Sequence, residues 1–143
     1  MGKIRVKTET TKVGEGTAKG GAKSSRKRLD TGVIHIEATY NNTKLALSDA
    51  AGNIISWSSS GSLGFKGAKK GTPFAAAKVG EHVGDFAKEL GVREVGVIVK
   101  GVGAGRESAI RSFVAKSGAV ITFLEDRTPL PFNGPRPKKP RRV

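Results

Sequence analysis

Apolar and polar side chains alternate in three short runs near the middle of the chain. In residues 33–40, Ile34, Ile36, Ala38 and Tyr40 alternate with Val33, His35, Glu37 and Thr39. A period of two places each set on its own face of a β-strand. Asn41-Asn42 comes next, and asparagine tolerates the positive φ that a tight hairpin requires. Residues 43–48 alternate again, with Leu45 and Leu47 directed inward. A second turn at 49–53 (Asp-Ala-Ala-Gly-Asn) leads into a third strand at 54–58. The pattern predicts an antiparallel meander.

The period then changes. After a stretch rich in Ser, Gly and Lys at 59–71, Thr72 stands as an N-cap and Pro73 at the first helical position. Val79, Val83, Phe86 and Leu90 recur at helical spacing, and Gly91 stops the helix. Ala76, Gly80 and Gly84 share a second face at four-residue spacing, which predicts close packing of this helix on the sheet. Residues 94–100 form a short strand with Val95, Val97 and Val99 alternating, and 101–105 a glycine turn. A second helix at 106–116 carries Ile110, Phe113 and Val114 on one stripe, Ser117-Gly118 ends it, and 119–124 is a last strand. The expected fold class is α/β, in the order βββ-α-β-α-β. That order gives a mixed sheet with right-handed crossovers.

Charge divides the chain into three. At 143 residues one domain is expected, and the net charge is +14. Residues 1–31 hold nine Lys/Arg against three acids, residues 32–126 eleven against nine, and residues 127–143 six against none. The excess charge therefore sits on two arms around a nearly neutral globular domain at 32–126. Spread-out solubilising charge would not be arranged this way. Residues 1–31 have few large apolar side chains and are expected to be disordered when free, reaching on the order of 100 Å if extended. The tail at 127–143 contains five of the six prolines, and proline fixes φ and favours an extended path. Stiff cationic arms suit a polyanion better than a small-molecule substrate. The chain has no cysteine, which excludes disulfides and thiolate chemistry and fits a reducing compartment. No apolar run approaches the roughly 18–20 residues of a membrane span. No signal-peptide apolar segment opens the chain, and Glu9 and Glu15 weigh against an organelle transit peptide.

Three segments are candidate RNA contacts. The first runs from Ser58 to Thr72: Ser58, Ser59, Ser60, Gly61, Gly67 and Thr72 offer hydroxyls and amides to phosphate, Lys66, Lys69 and Lys70 add charge, and Phe65 can stack on a base or sugar. It feeds a helix N-terminus, which favours anions. The second is the turn holding Gly103 and Gly105, continued by Arg106. Its G-x-G-x-G spacing is neither a dinucleotide fingerprint nor a Walker A loop, so a tight turn with open amides beside a phosphate is expected. The third is the arms: Arg26, Lys27 and Arg28 on one side, and Arg127, Asn133, Gly134, Arg136, Lys138, Lys139, Arg141 and Arg142 on the other. Asn133-Gly134 is also a candidate for isoaspartate formation, since a side chain before glycine is poorly shielded. Catalysis has little to work with. The two histidines, His35 and His82, fall mid-strand and mid-helix, and Glu37, Asp49 and Asp126 fall on strands, turns and strand ends that do not obviously converge. No catalytic residue, metal or cofactor is expected. Two alternatives stay open: a metal-dependent nuclease on the same fold, and a basic protein that compacts DNA.

Three blocks of sequence go further. GSLGFKGAKKGTPFAAAKVGE at 61–81, KGVGAGRESAIRSF at 100–113 and DRTPLPFNGPRP at 126–137 resemble the bacterial-type family of small-subunit ribosomal protein eleven, across residues 32–143. The third block is the most specific, because a generic basic tail has no need of Thr-Pro-x-Pro-x-Asn-Gly in that order. Phe132 stands where the family usually has His, and Pro135 where a small residue such as Cys is common; Phe can stack but lacks the imidazole hydrogen bond. The resemblance implies a ribonuclease-H-like fold without nuclease activity. It implies a structural role in the small ribosomal subunit of the cytoplasm rather than an organelle, bridging rRNA helices on the platform and contributing to the Shine–Dalgarno cleft. It also implies small-subunit proteins seven and eighteen as neighbours, with initiation factor three and the Shine–Dalgarno region of mRNA nearby.

Overall fold

A computed structural model describes residues 28–142. Five strands, β1 (Thr31–Ala38), β2 (Thr43–Ser48), β3 (Ile54–Ser59), β4 (Glu94–Lys100) and β5 (Val120–Asp126), and two helices, α1 (Pro73–Leu90) and α2 (Arg106–Ser117), occur in the expected order. The strands form one sheet, β3-β2-β1-β4-β5. The β1–β2 and β2–β3 pairs are antiparallel, whereas β4 runs parallel to β1 and β5 parallel to β4. Four strands thus share one direction, and the chain leaves their carboxyl ends by loops on a single edge.

Alternation fixes what each strand buries. Ile34, Ile36, Leu45, Leu47, Val95, Val97 and Val99 join Val79, Val83, Ala87 and Leu90 of α1 and Ala109 and Phe113 of α2 in one core. The opposite sheet face carries no helix. His35 and Trp57 stand on it, Trp57 with 64% of its surface exposed.

Several expectations change. The first strand starts and ends two residues earlier than its alternation suggested, because the Thr39 backbone N–H and hydroxyl both donate to the Asn42 carbonyl and begin the turn there. Tyr40 therefore sits in the turn, 80% exposed, and not in the core. The last strand begins one residue later and runs two further, to Asp126, and every residue of it is exposed to a substantial degree. It is an edge strand that the helical layer covers poorly, and the ring of Phe123 lies over Gly96 on the open face. Phe86 lies at the margin of α1's buried face, against the His82 ring at 6.0 Å.

The small face of α1 meets α2 and not the sheet. A Cβ on Gly80 would strike the Ala109 carbonyl and approach the Phe113 amide to 3.1 Å, and one on Gly84 would meet Lys116 at 2.7 Å. Missing side chains let the two helix backbones approach closely, and the helix pair is the densest contact of the domain. We expect Gly80→Ala to lower stability by about 1–3 kcal/mol through overpacking, although alanine has about 1 kcal/mol better helix propensity. Urea unfolding checks this; a variant equal to or more stable than the parent contradicts the close helix crossing.

Candidate nucleic-acid interface

The segment after β3 is built from its own hydroxyls. The Ser62 hydroxyl accepts from the Ser59 amide at 2.9 Å and donates to the Ser59 carbonyl at 2.8 Å, while Ser59 Oγ accepts from the Ser62 amide at 3.2 Å. The Ser60 amide donates to the Thr43 carbonyl at 3.0 Å, and the Phe65 amide to the Ser60 carbonyl at 3.2 Å. Ser58, Ser59 and Ser60 are consequently buried. They scaffold the loop and do not present the phosphate-facing hydroxyls expected of them. Composition cannot separate these two uses of serine, because both need a donor and acceptor on a short side chain.

What the loop does present is charge and aromatic surface. Gly61, Lys66, Gly67 and Lys69 are exposed, and Lys70 and Thr72 half-buried. A short 3₁₀ turn at Gly67–Gly71 sets the lysines, seated where a Cβ on Gly71 would strike the Tyr40 carbonyl. Thr72 caps α1 as expected, accepting from the Ala75 amide at 3.3 Å and donating to the Lys69 carbonyl at 2.7 Å. Phe65 is half-buried and packs edge-on against Phe74 at 6.1 Å. Lys78 Nζ lies 5.8 Å from the Phe74 ring centre. Phe74, 65% exposed, escaped the sequence reading. Its signal was a phenylalanine just after the cap, outside the Val79–Val83 stripe.

The glycine turn is also more committed than expected. Gly101 adopts φ 95°, and Cβ atoms at Gly101 and Gly103 would collide with the backbone of Ala38 and Thr39. The Gly103 amide donates to the Ala38 carbonyl at 2.9 Å and the Gly101 amide to Thr128 Oγ1 at 3.2 Å. Gly103 and Gly105 are buried. The glycines serve the approach to β1, and two of the amides are not open to a phosphate. Arg106 is likewise engaged. Its guanidinium donates to the Gly101 carbonyl at 2.9 Å and pairs with Asp126.

The root of the tail locks onto this turn. Asp126 accepts from the Thr128 amide at 2.9 Å and from the Thr128 hydroxyl, and the Arg127 amide donates to the Val99 carbonyl at 2.9 Å. Arg127 pairs with Glu125 at 2.8 Å on the exposed surface, a contact that a phosphate can exchange at little cost. Beyond Thr128 every described tail residue is exposed, including Asn133, Gly134, Arg136, Lys138, Lys139, Arg141 and Arg142. Asn133 has φ 51°, so the Pro-x-Asn-Gly stretch bends. Arg28, exposed, enters β1 at the opposite edge of the sheet. Arg26 and Lys27 lie outside the described residues.

Lys66, Lys69, Lys70, Lys100, Arg106, Arg127 and the tail therefore gather at the carboxyl edge of the sheet, where open α/β folds place ligands. Asp30, Asp49 and Glu94 lie at the other edge. Asp49 is thereby parted from Glu37 and Asp126, and among the described residues no three His, Asp or Glu side chains converge on a metal position. Burial, then Lys100 and Arg127, lowers the pKa of His35; its Nε2 lies 3.1 Å from Ser48 Oγ. No described helix is long and apolar enough to cross a membrane.

A mixed α/β sheet whose loop lysines and proline-rich cationic tail share one edge fits a ribonucleoprotein component. The chain belongs to the ribosomal protein S11 family: the family model of that description matches residues 32–142. The small ribosomal subunit protein uS11 of Sulfurovum sp. (strain NBC37-1) is 50% identical over 121 residues, covering 85% of this chain and 98% of its own length. That of Acaryochloris marina (strain MBIC 11017) is 50% identical over 123 residues, covering 86% and 94%. That of Campylobacter curvus (strain 525.92) is 52% identical over 118 residues, covering 82% and 91%.

The Thr128 hydroxyl, the Arg106 guanidinium and the Thr128 amide together hold Asp126 down to a pKa of about 2, against about 3.9 in an unfolded chain. Between these values the unfolded state binds more protons. The contribution is thus complete above about pH 4 and is lost as pH falls toward 2. We expect Asp126→Asn to lose less stability than the parent between pH 5 and pH 2.5, as read from urea midpoints. Equal losses in the two proteins contradict the network.

Proposed function

We propose that this chain is a structural rRNA-binding constituent of the small subunit in cytoplasmic ribosomes. It bridges rRNA helices on the platform and contributes to the cleft that holds the Shine–Dalgarno duplex. The observation that carries the proposal is the gathering of loop lysines and tail root at one sheet edge, in a chain whose relatives are small ribosomal subunit proteins. Lys66, Lys69 and Lys70 meet phosphates from the loop, Phe65 and Phe74 offer a stacking surface, and Gly61 and Gly67 allow close backbone approach. The segments at 1–31 and 127–143 neutralise phosphates that would otherwise repel one another where helices meet. Small-subunit proteins seven and eighteen are proposed neighbours, with initiation factor three and mRNA reaching the same region.

The mechanism is electrostatic bridging and involves no bond making. If about half of the fifteen arm cations meet phosphates, the arms alone contribute a slope of roughly −5 to −7 to the fall of log affinity with log salt. Replacing Arg136, Lys138, Lys139, Arg141 and Arg142 by Gln in the full chain should reduce the total slope by about 4, and Lys66, Lys69 and Lys70 by Gln by about 2–3. Filter binding to deproteinised small-subunit rRNA across a salt series measures both. An unchanged slope in the tail variant removes the tail from the interface, and tighter binding to duplex DNA than to rRNA overturns the proposal.

A further inference from the structure

Asp126, like Glu125 before it, is an acid at the root of a segment whose other charged residues are all cations. Glu125 pairs with Arg127 on the exposed surface, whereas Asp126 faces the domain. Facing a polyanion, a carboxylate there weakens attraction, so its presence calls for a compensating gain. Geometry supplies one. Asp126 joins Arg106 from the start of α2 to the amide and hydroxyl of Thr128. Thr128 Oγ1 in turn accepts from the Gly101 amide, and Arg106 donates to the Gly101 carbonyl. Both polar groups of Gly101 are thus held, and the ring closes through Asp126. Gly101 itself is pinned against Ala38 of β1. The last residue before Pro129 is therefore tied to the central strand of the sheet.

Direction at that point propagates. Pro129, Pro131, Pro135, Pro137 and Pro140 stiffen the rest of the tail. Beyond the bend at Asn133, the eight residues from Pro135 to Arg142 reach roughly 25 Å at about 3.1 Å per residue. A loose hinge at the root would let the cationic end sweep a wide volume, and its ordering on binding would cost affinity. A fixed root confines the sweep before RNA arrives.

We propose that Asp126 is a positioning residue for RNA binding: through Arg106, Thr128 and Gly101 it sets the angle at which the cationic tail leaves the domain. The inference rests on the rRNA-binding function proposed above. It makes a prediction of opposite sign to simple electrostatics. Removing Asp126 raises the net charge, which alone tightens binding to RNA, whereas loss of positioning weakens it.

The test is a mutant cycle in the full chain, with deproteinised small-subunit rRNA as probe at one salt concentration where all forms bind. Asp126→Ala is made in the parent and in the chain whose Arg136, Lys138, Lys139, Arg141 and Arg142 are Gln. Glu107→Gln, at an exposed acid paired with Arg111, controls for the added charge. Asp126→Ala should weaken the parent roughly tenfold and leave the tail-neutralised chain nearly unchanged, while Glu107→Gln binds as tightly as the parent or tighter. Thr128→Val should weaken the parent in the same direction without altering charge, and it carries the test if Asp126→Ala fails to fold by circular dichroism. Binding by Asp126→Ala as tight as the parent's, or an equal loss in both backgrounds, overturns the inference and leaves the rRNA-binding function standing. Absence of rRNA binding by the parent removes that function and the inference together.

Discussion

The functional edge depends on a backbone-to-backbone contact at the carboxyl end of β1. Gly101 and Gly103 lie so close to Ala38 and Thr39 that neither tolerates a Cβ, and the Gly103 amide seals the approach on the Ala38 carbonyl. This contact sets where β4 ends and where α2 begins. The start of α2 then places Arg106 beside the end of β5. Without it the loop after β3, the glycine turn and the tail root would still be cationic, but they would not share an edge. The parallel direction of β1, β3, β4 and β5 supplies the gathering, and glycine supplies the close approach that makes it rigid.

Much of this was legible from residue order because the signals were local. The Thr72 cap with Pro73 behind it, the αL glycine at Gly91 and the alternation of Val95, Val97 and Val99 each report a backbone requirement within a few residues. The misreadings share a different origin. Tyr40 continued an alternation that the Thr39–Asn42 hydrogen bonds ended, and periodicity carries no information about such bonds. The Ala76-Gly80-Gly84 face announced a close neighbour but not which one, since sheet and helix both welcome small residues. The apolar side chains of β5 predicted a strand and said nothing of its lying at an edge, which only the global pairing decides.

The candidate interface divides in the same way. The tail was visible as charge concentrated outside a nearly neutral domain, and Lys66, Lys69 and Lys70 as a run of cations with no acid beside them. The serines and glycines were ambiguous, since a group able to bind phosphate is equally able to satisfy a neighbouring peptide. In Ser58–Ser60 and Gly103 the internal partner won, as burial of an unpaired backbone group costs more than a surface contact returns. Phe74 and the Asp126–Thr128 pair were missed because their roles arise from residues brought together across the fold. Phe74 meets Phe65 across a loop of eight residues, and Asp126 meets Arg106 across two elements.

Charge and geometry therefore play separable parts. A flexible basic tail binds any polyanion, with an affinity set by the number of phosphates it meets and the salt it displaces. Such a tail cannot distinguish one arrangement of helices from another, because the free chain adapts to each at similar cost. A stiff tail leaving a fixed root samples few directions, so helices that fit those directions are favoured over helices that do not. On the positioning proposed for Asp126, selectivity for a particular RNA architecture comes from an acid and a hydroxyl that contribute nothing to attraction. Asp126 holds that root through contacts to Arg106 and Thr128, and the same contacts keep its charge paired, as Arg127 does for Glu125, which makes carboxylates tolerable where the domain hands over to its cationic arm.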